Sequence, residues 1–433
     1  MIGDFLATHS FNLIQILLVT VGYLMPLPLA FIAFHLWHHY RTERFIMGMK
    51  WVLLEILVPR EVVKSPAAME LVFINAFYHQ SIKSFWEQYI IGAPVFWFSL
   101  EMVSIDGRVH FYVRTPSRLK NLVETQIYAQ YPQAKVIEVE DYVFKIPQYT
   151  QTGEWDIWGC EFTKLKEDFL PIRTYKGFGE DMKTGIEEEY KIDPITPTIE
   201  YLGSVPKGQQ VWIQIVIREN AKKYHSHKTG KSVNFVEGAN EYIENILAPY
   251  TRVHKNEQVP GTFGKQVGLP KHLEPIIQSI TDQLGLVHFD CGIRVLSLSN
   301  KKECTIEQFN NLRRDIRLLF RQYAQPFSNE FNRINGTIIG AVWADPTGLG
   351  TTKLKKRALN FYRLRTFFHP PIQYSYKYPA PLSFFFPTNN PQLFVLSVEE
   401  LATIFHFPGM VSETPSFKRI ESKIAKPPSN LPI

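Results

Sequence analysis

The longest apolar run of the chain, Phe11–Phe34 (FNLIQILLVTVGYLMPLPLAFIAF), passes 24 residues without a charge. At 1.5 Å per helical residue it is long enough to cross a hydrocarbon layer of roughly 30 Å. Pro26 and Pro28 read as kinks, which membrane helices tolerate. No Lys or Arg precedes the run, whereas Arg41, Arg44 and Lys50 follow it. That order argues against a cleaved signal peptide, which opens on basic residues, and the positive-inside rule sets the N-terminus out and the body in the cytoplasm. The pattern predicts a short outer tail (1–10) and a single-pass anchor (11–37). His35, His38 and His39 share one helix face beside Trp37 and Tyr40, a composition suited to the headgroup level.

After Lys50 the period changes. Trp51–Val58 is a short apolar run closed by Pro59, and Ser65-Pro66 opens a helix with the stripe Leu71, Ile74, Tyr78, Ile82, Phe85. Val95–Ser104 and Arg108–Arg114 alternate in period two around Asp106-Gly107, a turn pair that tolerates positive φ. Thr115-Pro116 starts a second helix with Leu119, Leu122, Val123, Gln126 and Ile127 on one face, and Lys135–Val139 closes the unit. The order β-α-β-β-α-β predicts a ferredoxin-like, split-βαβ module over 50–145.

A second α+β module of the same kind is expected over 154–325. Its strands are Asp156–Leu165, Gln210–Arg218 and Val287–Ser299, and its helices are Ala239–Leu247, Leu273–Leu284 and one opened by the capping box Thr305–Gln308. Residues 326–411 form a basic and aromatic segment ending in a short strand and helix, and 412–433 a Pro- and Lys-rich irregular tail. The fold class is therefore α+β, with a transmembrane helix before two ferredoxin-like modules.

Composition permits a packed body, with 45% hydrophobic and 20% charged residues. Three widely spaced cysteines, Cys160, Cys291 and Cys304, exclude a disulfide framework and fit a reducing compartment. The net charge of +6 allows an acidic partner without demanding one. His225–Ser232 (HSHKTGKS) imitates a P-loop, but His225 stands where the first glycine must let the backbone wrap phosphate, and no helix follows. Gly348–Lys353 (GLGTTK) fails the same spacing. His288 and Cys291, in an alternating strand, read as core or cross-strand residues. No catalytic residue, metal ligand or cofactor is expected. The basic residues that remain are Lys353, Lys355, Lys356, Arg357, Arg363 and Arg365 in one segment, and Arg313, Arg317 and Arg321 at helical spacing of four. They are the candidate contacts for nucleic acid or a protein partner.

Five stretches carry a resemblance. They are Pro116–Tyr142, Gly159–Tyr175 (GCEFTKLKEDFLPIRTY), Asp193–Arg218, Lys356–Pro371 (KRALNFYRLRTFFHPP) and Phe394–Ile433. Together they resemble the membrane-anchored N-terminal region of HerA/FtsK-superfamily ATPases related to conjugative, type IV secretion DNA-transfer motors. In that family the segment matching Pro427–Pro432 leads into the motor domain, whereas this chain stops at Ile433. The resemblance implies an accessory subunit of a bacterial inner membrane that is not itself an enzyme. It would recruit a separate HerA/FtsK-type ATPase and form a homo-oligomer with it, with DNA as a further partner. A membrane-tethered nucleic-acid binder is the alternative. Leu401, Ile404 and Phe405, with Lys418 and Arg419 of the tail, are the candidate docking residues for the ATPase.

Overall fold

The computed structural model describes residues 22, 25–58, 65–78, 84–180, 193–220, 222–226, 231–255, 263–267, 270–271, 273–326, 328–337, 345–369 and 393–408. The chain divides into two compact units, one of Met1–Met49, Ser81–Val95 and His369–Thr388, the other of Lys50–Gln80, Phe96–Phe368 and Asn389–Ile433.

In the first unit, helix α1 (Pro26–Gly48) packs against the turn Trp86–Ile91. Arg41 donates from Nε to the Ile90 carbonyl (2.9 Å), and the Tyr89 ring rests between Phe34 and His38. A Cβ at Gly92 would run into the Arg41 backbone, and its φ of +79° suits glycine alone. The expected transmembrane helix is overturned here. Among the described residues no helix is long and apolar enough to cross a membrane. Pro26 and Pro28 do not kink a helix; they lie at the start of one, where proline's fixed φ and missing N–H cost nothing. The helix they open carries His35, His38, Arg41, Glu43 and Arg44 besides Pro26–Phe34, the last nine residues of the uncharged run. Most of residues 1–24 lies outside the described residues.

The second unit is built on one antiparallel sheet of nine strands. The strands are β1 (Trp51–Leu57), β2 (Trp97–Ile105), β3 (Arg108–Pro116), β4 (Lys135–Val139), β5 (Trp155–Lys164), β6 (Gln209–Glu219), β11 (His288–Asn300), β12 (Phe331–Ile334) and β13 (Phe394–Ser397). Two small hairpins stand apart, β7 (Lys223–His225) with β8 (Ser232–Asn234), and β9 (Thr251–Lys255) with β10 (Phe263–Val267). The order across the large sheet is β12-β5-β11-β6-β2-β3-β1-β4. Numbered within each half, both halves run 4-1-3-2, and the two second strands, β2 and β6, pair with each other. The strands of the two modules expected over 50–145 and 154–325 thus lie side by side in one shared sheet, β1 to β4 from the first and β5, β6 and β11 from the second. Nine consecutive residues of β2, Trp97 to Ile105, ladder onto β6. The long β11 lies against β6 on one side. On its other side β5 takes Ile293–Asn300 and β13 takes His288–Cys291, so β13 fills the place β5 leaves open.

One face buries Leu54, Phe98, Phe111, Ile213 and Ile293. Its covering helices are α2 (Ala67–Val72), α3 (Lys120–Gln130), α5 (Thr196–Gly203), α8 (Ile306–Leu319) and α10 (Val398–Ile404). The stripe of α2 and the π-turn after it is Met69, Val72, Phe73, Ala76 and Phe77, while Leu71 is exposed. The opposite face buries Leu53, Val103, Trp212 and Leu296 under α9 (Leu349–Leu364), which contributes Leu359 and Tyr362. Between these, α4 (Tyr175–Glu180) precedes α5. Helices α6 (Phe235–Leu247) and α7 (Glu274–Leu284) make a smaller core with Phe169, Tyr224 and Val395.

Candidate functional site

The face under α9 carries a transverse row of polar side chains. Directly paired residues across six strands are Glu55, Tyr112, Glu101, Gln214, Arg294 and Glu161. Strand alternation puts them on one face, and the β2–β6 seam joins the row of one half to that of the other.

At its centre lies Arg365, wholly buried, at the C-terminal cap of α9 with φ +50°. It donates to Glu101 from Nε (2.9 Å) and Nη2 (3.2 Å), to Asp141 from Nη1 (2.6 Å) and Nη2 (2.8 Å), and to the Arg363 carbonyl from Nη1 (2.9 Å). All five guanidinium donors are thus engaged. Glu101, also fully buried, accepts further bonds from Ser99 (2.6 Å) and Tyr142 (2.8 Å). Burial pushes its pKa up, but the Arg365 charge and these donors outweigh that and hold it below the usual value. Gln214 donates to the Tyr362 carbonyl (3.0 Å), and the Tyr142 and Tyr362 hydroxyls lie 2.8 Å apart. Arg294 pairs with Glu161 through Nε (3.0 Å) and Nη2 (2.6 Å), and Asn335 donates to the second Glu161 oxygen (2.7 Å). Gly292 must lack a side chain because the Phe367 ring, in the segment leaving α9, lies on it.

A second polar cluster holds the C-terminal strand and helix. The capping box of Ser397 and Glu400 opens α10. Glu400 Oε1 also accepts from the buried Lys164 ammonium (2.7 Å) and from the Ile172 N–H (2.9 Å). His406 bridges the Ala402 carbonyl (2.8 Å) and Asp193 (2.6 Å). Asp168 is sealed beside Lys164, which donates to its carbonyl (2.9 Å). Burial pushes the Asp168 carboxyl up to about 8.

The basic residues singled out from the sequence do not form one surface. Arg313 and Arg317 fall on α8, with Arg321 just beyond it, on the face opposite α9. Arg365 and Lys355 are buried, the latter paired with Asp156, and Arg363 donates to the Val143 and Ile146 carbonyls and to Gln148. Lys353 and Lys356 are exposed, and Arg357 is half-buried over Phe361. The apolar docking stripe is also taken: Leu401, Ile404 and Phe405 lie in the protein's own core, Phe405 against Phe73 and Phe111. Lys418 and Arg419 fall outside the described residues.

The P-loop imitation joins β7 to β8, two strands of a hairpin; the expectation that no helix follows is corrected, since α6 opens at Phe235 with Asn234 as its cap, but Ser232 is spent in strand β8 before it. At Gly348–Lys353 the α9 N-terminus is occupied by Asp345, whose carboxylate accepts from the N–H groups of Gly350 (3.0 Å) and Thr351 (2.6 Å). These bonds hold its pKa down. Phosphate has no vacancy there. Sequence reasoning missed Glu101, Gln214, Arg294 and Glu161. What signal there was lay in β6 and β11, where Gln214 stands between Trp212 and Val216 and Arg294 precedes Leu296 on one face; in β2 and β5 the same-face neighbours Ser99 and Thr163 are polar and hide it.

No family model matches the chain, and no curated protein matches it.

Proposed function

We propose that the chain is a non-enzymatic scaffold, related to the N-terminal region of HerA/FtsK-superfamily ATPases, that recruits a separate ATPase of that kind. One observation carries the reading: the stretches that resemble the family bond to one another in pairs. Asp141 of Pro116–Tyr142 pairs with Arg365 of Lys356–Pro371. Lys164 of Gly159–Tyr175 pairs with Glu400 of the last stretch, and Asp193 of Asp193–Arg218 meets His406 of the same stretch. Likeness in separate stretches has a common physical reason if those stretches build one framework. Such a framework spends its buried charges on itself, as a platform does.

With Leu401, Ile404 and Phe405 committed to the core, the proposed recruiting segment is the tail Pro415–Ile433, with Lys418 and Arg419. The nucleic-acid reading loses Lys355, Arg363 and Arg365 to internal pairing. The test is co-purification with a HerA/FtsK-type ATPase from the same source. The full chain is expected to retain the ATPase and the chain lacking Pro415–Ile433 to lose it, with the body's circular dichroism unchanged. Equal recovery by both removes the tail from the proposal, and no recovery by the full chain removes the scaffold reading.

A further inference from the structure

Helix α9 contains no Asp or Glu, and its outer face is basic. Lys353, Lys356 and Asn360 recur at spacings of three and four, so they share one stripe, and both lysines are exposed. The carboxylates that touch the helix are already spent. Asp141 holds Arg365, Asp156 holds Lys355, and Asp345 accepts from Gly350 and Thr351. Among the described residues neither Lys353 nor Lys356 has a carboxylate partner. Beside the C-terminal half of α9 runs the segment 142–148. Gln148 donates to Asn360 (3.0 Å), and Arg363 donates to the Val143 carbonyl (3.3 Å) and to Gln148 (2.8 Å). Asp141 caps the turn Tyr142–Phe144 by accepting from the Val143 N–H (3.3 Å). The turn buries Tyr142 and Val143 and leaves Phe144 71% exposed, with Lys145 exposed after it.

We propose that this strip is a contact surface for single-stranded nucleic acid, with phosphates on Lys353, Lys356 and Lys145 and a base on the Phe144 ring. The surface stands apart from ATPase recruitment and uses the lysines that internal pairing leaves over. They run in a line: at 1.5 Å per residue, Lys353 to Asn360 covers about 10 Å of helix. A line of charge matches a chain of phosphates, whereas a membrane surface spreads its headgroups over a plane. One ring also offers a bilayer little apolar area to bury. A duplex keeps its bases stacked inside and reaches only the lysines. An unpaired base has an open π-face, and the pinned turn presents Phe144 to it. Lysines hold phosphates and read no base edges, so binding is expected to tolerate any sequence.

Fluorescence anisotropy of a labelled oligothymidylate with the full chain tests the surface. Each phosphate contact on a single strand adds about 0.7 to the slope of log affinity against log salt. Three lysines therefore give a slope of about −2, or about 20-fold weaker binding for a fourfold rise in salt. Replacing both Lys353→Gln and Lys356→Gln is expected to reduce the slope by about 1.4. Phe144→Ala is expected to weaken binding by about fivefold or more with the slope unchanged, and Phe144→Trp to preserve it. Phe144→Leu, apolar but without a π-face, is expected to behave like Phe144→Ala. These side chains are exposed, so each variant keeps the fold. No binding at low salt overturns the proposal. So does a duplex of the same length that binds as well, a slope unchanged by the two lysine substitutions, or a Phe144→Leu chain that binds as tightly as the unmodified one.

Discussion

Arg365 ties the end of α9 to the first half of the sheet. It holds Glu101 of β2 and Asp141 after β4 at once, and no water reaches Glu101 to replace it. Removing one partner of a buried pair leaves the other charge uncompensated, a loss of about 3–5 kcal/mol. Arg365→Met is therefore expected to lower the urea midpoint strongly, and adding Glu101→Leu to restore part of the loss. If the double variant is as weak as the sum of two independent lesions, the pair is not coupled. A second residue-scale effect concerns pH. Burial depresses His288 to about 4 from an ordinary 6.5, so its contribution is complete above 6.5 and is lost as pH falls toward 4. Asp168, raised to about 8 from 3.8, acts in the opposite sense: folded protein keeps a proton that unfolded chain has released, and stability is lost as pH rises through that range. The two oppose each other from about 4 to 6.5, which leaves Asp168 alone from 6.5 to 8. Over that window stability is expected to fall by up to about 1.4 kcal/mol per pH unit. Asp168→Asn, which imitates the protonated acid, should flatten the decline in urea midpoints measured at pH 6.5 and 8; an equal slope in both proteins rules the assignment out.

At the scale of elements, the strand β13 and helix α10 matter most, because their sequence invites a different reading. A capped helix with an apolar stripe near the C-terminus looks ready for a partner. In the fold its partner is the body: β13 pairs with β11, and Phe405 and Phe407 pack on Phe111. Phe405→Ala is expected to cost about 3–5 kcal/mol of stability and Ser397→Ala about 1 kcal/mol, read by chemical denaturation. An exposed docking helix would show neither loss. Periodicity located the strands well: Gln210–Arg218 and Val287–Ser299 correspond to β6 (Gln209–Glu219) and β11 (His288–Asn300). It could not name their neighbours, because alternation assigns a residue to a face and leaves pairing open. That is why the β2–β6 seam was not legible. Nor was the buried polar row, since Ser99 and Glu101 alternating with Phe98 and Leu100 look like a strand with one wet face. Helix α9 covers that face, and its own basic residues, read as a surface, supply the matching charge. The membrane helix failed for a different reason: hydropathy measures a run of residues, whereas Pro26 and Pro28 decide where a helix starts.

For the whole molecule, the shared sheet makes the two repeats one cooperative body. The seam strands β2 and β6 are ladder-bonded along both edges, and the outermost strands β4 and β12 are short. Amide exchange is expected to be slowest in β2, β6 and β11 and fastest in β4 and β12, where local opening suffices. Two separate unfolding transitions, one for 50–145 and one for 154–325, would contradict a single sheet. The position of β13 also imposes an order in time. During synthesis β11 emerges with β5 and β6 already made, yet the edge at His288–Cys291 has no strand to take until Phe394–Ser397 leaves the ribosome. Until then the nascent chain displays unpaired backbone beside the apolar socket that Phe405 will fill. An open strand edge of that kind is an invitation to wrong pairing with other chains. The body thus has a vulnerable interval before its last strand arrives, in which a chaperone holding that edge would raise the yield of folded protein more than it would change the stability of the finished one.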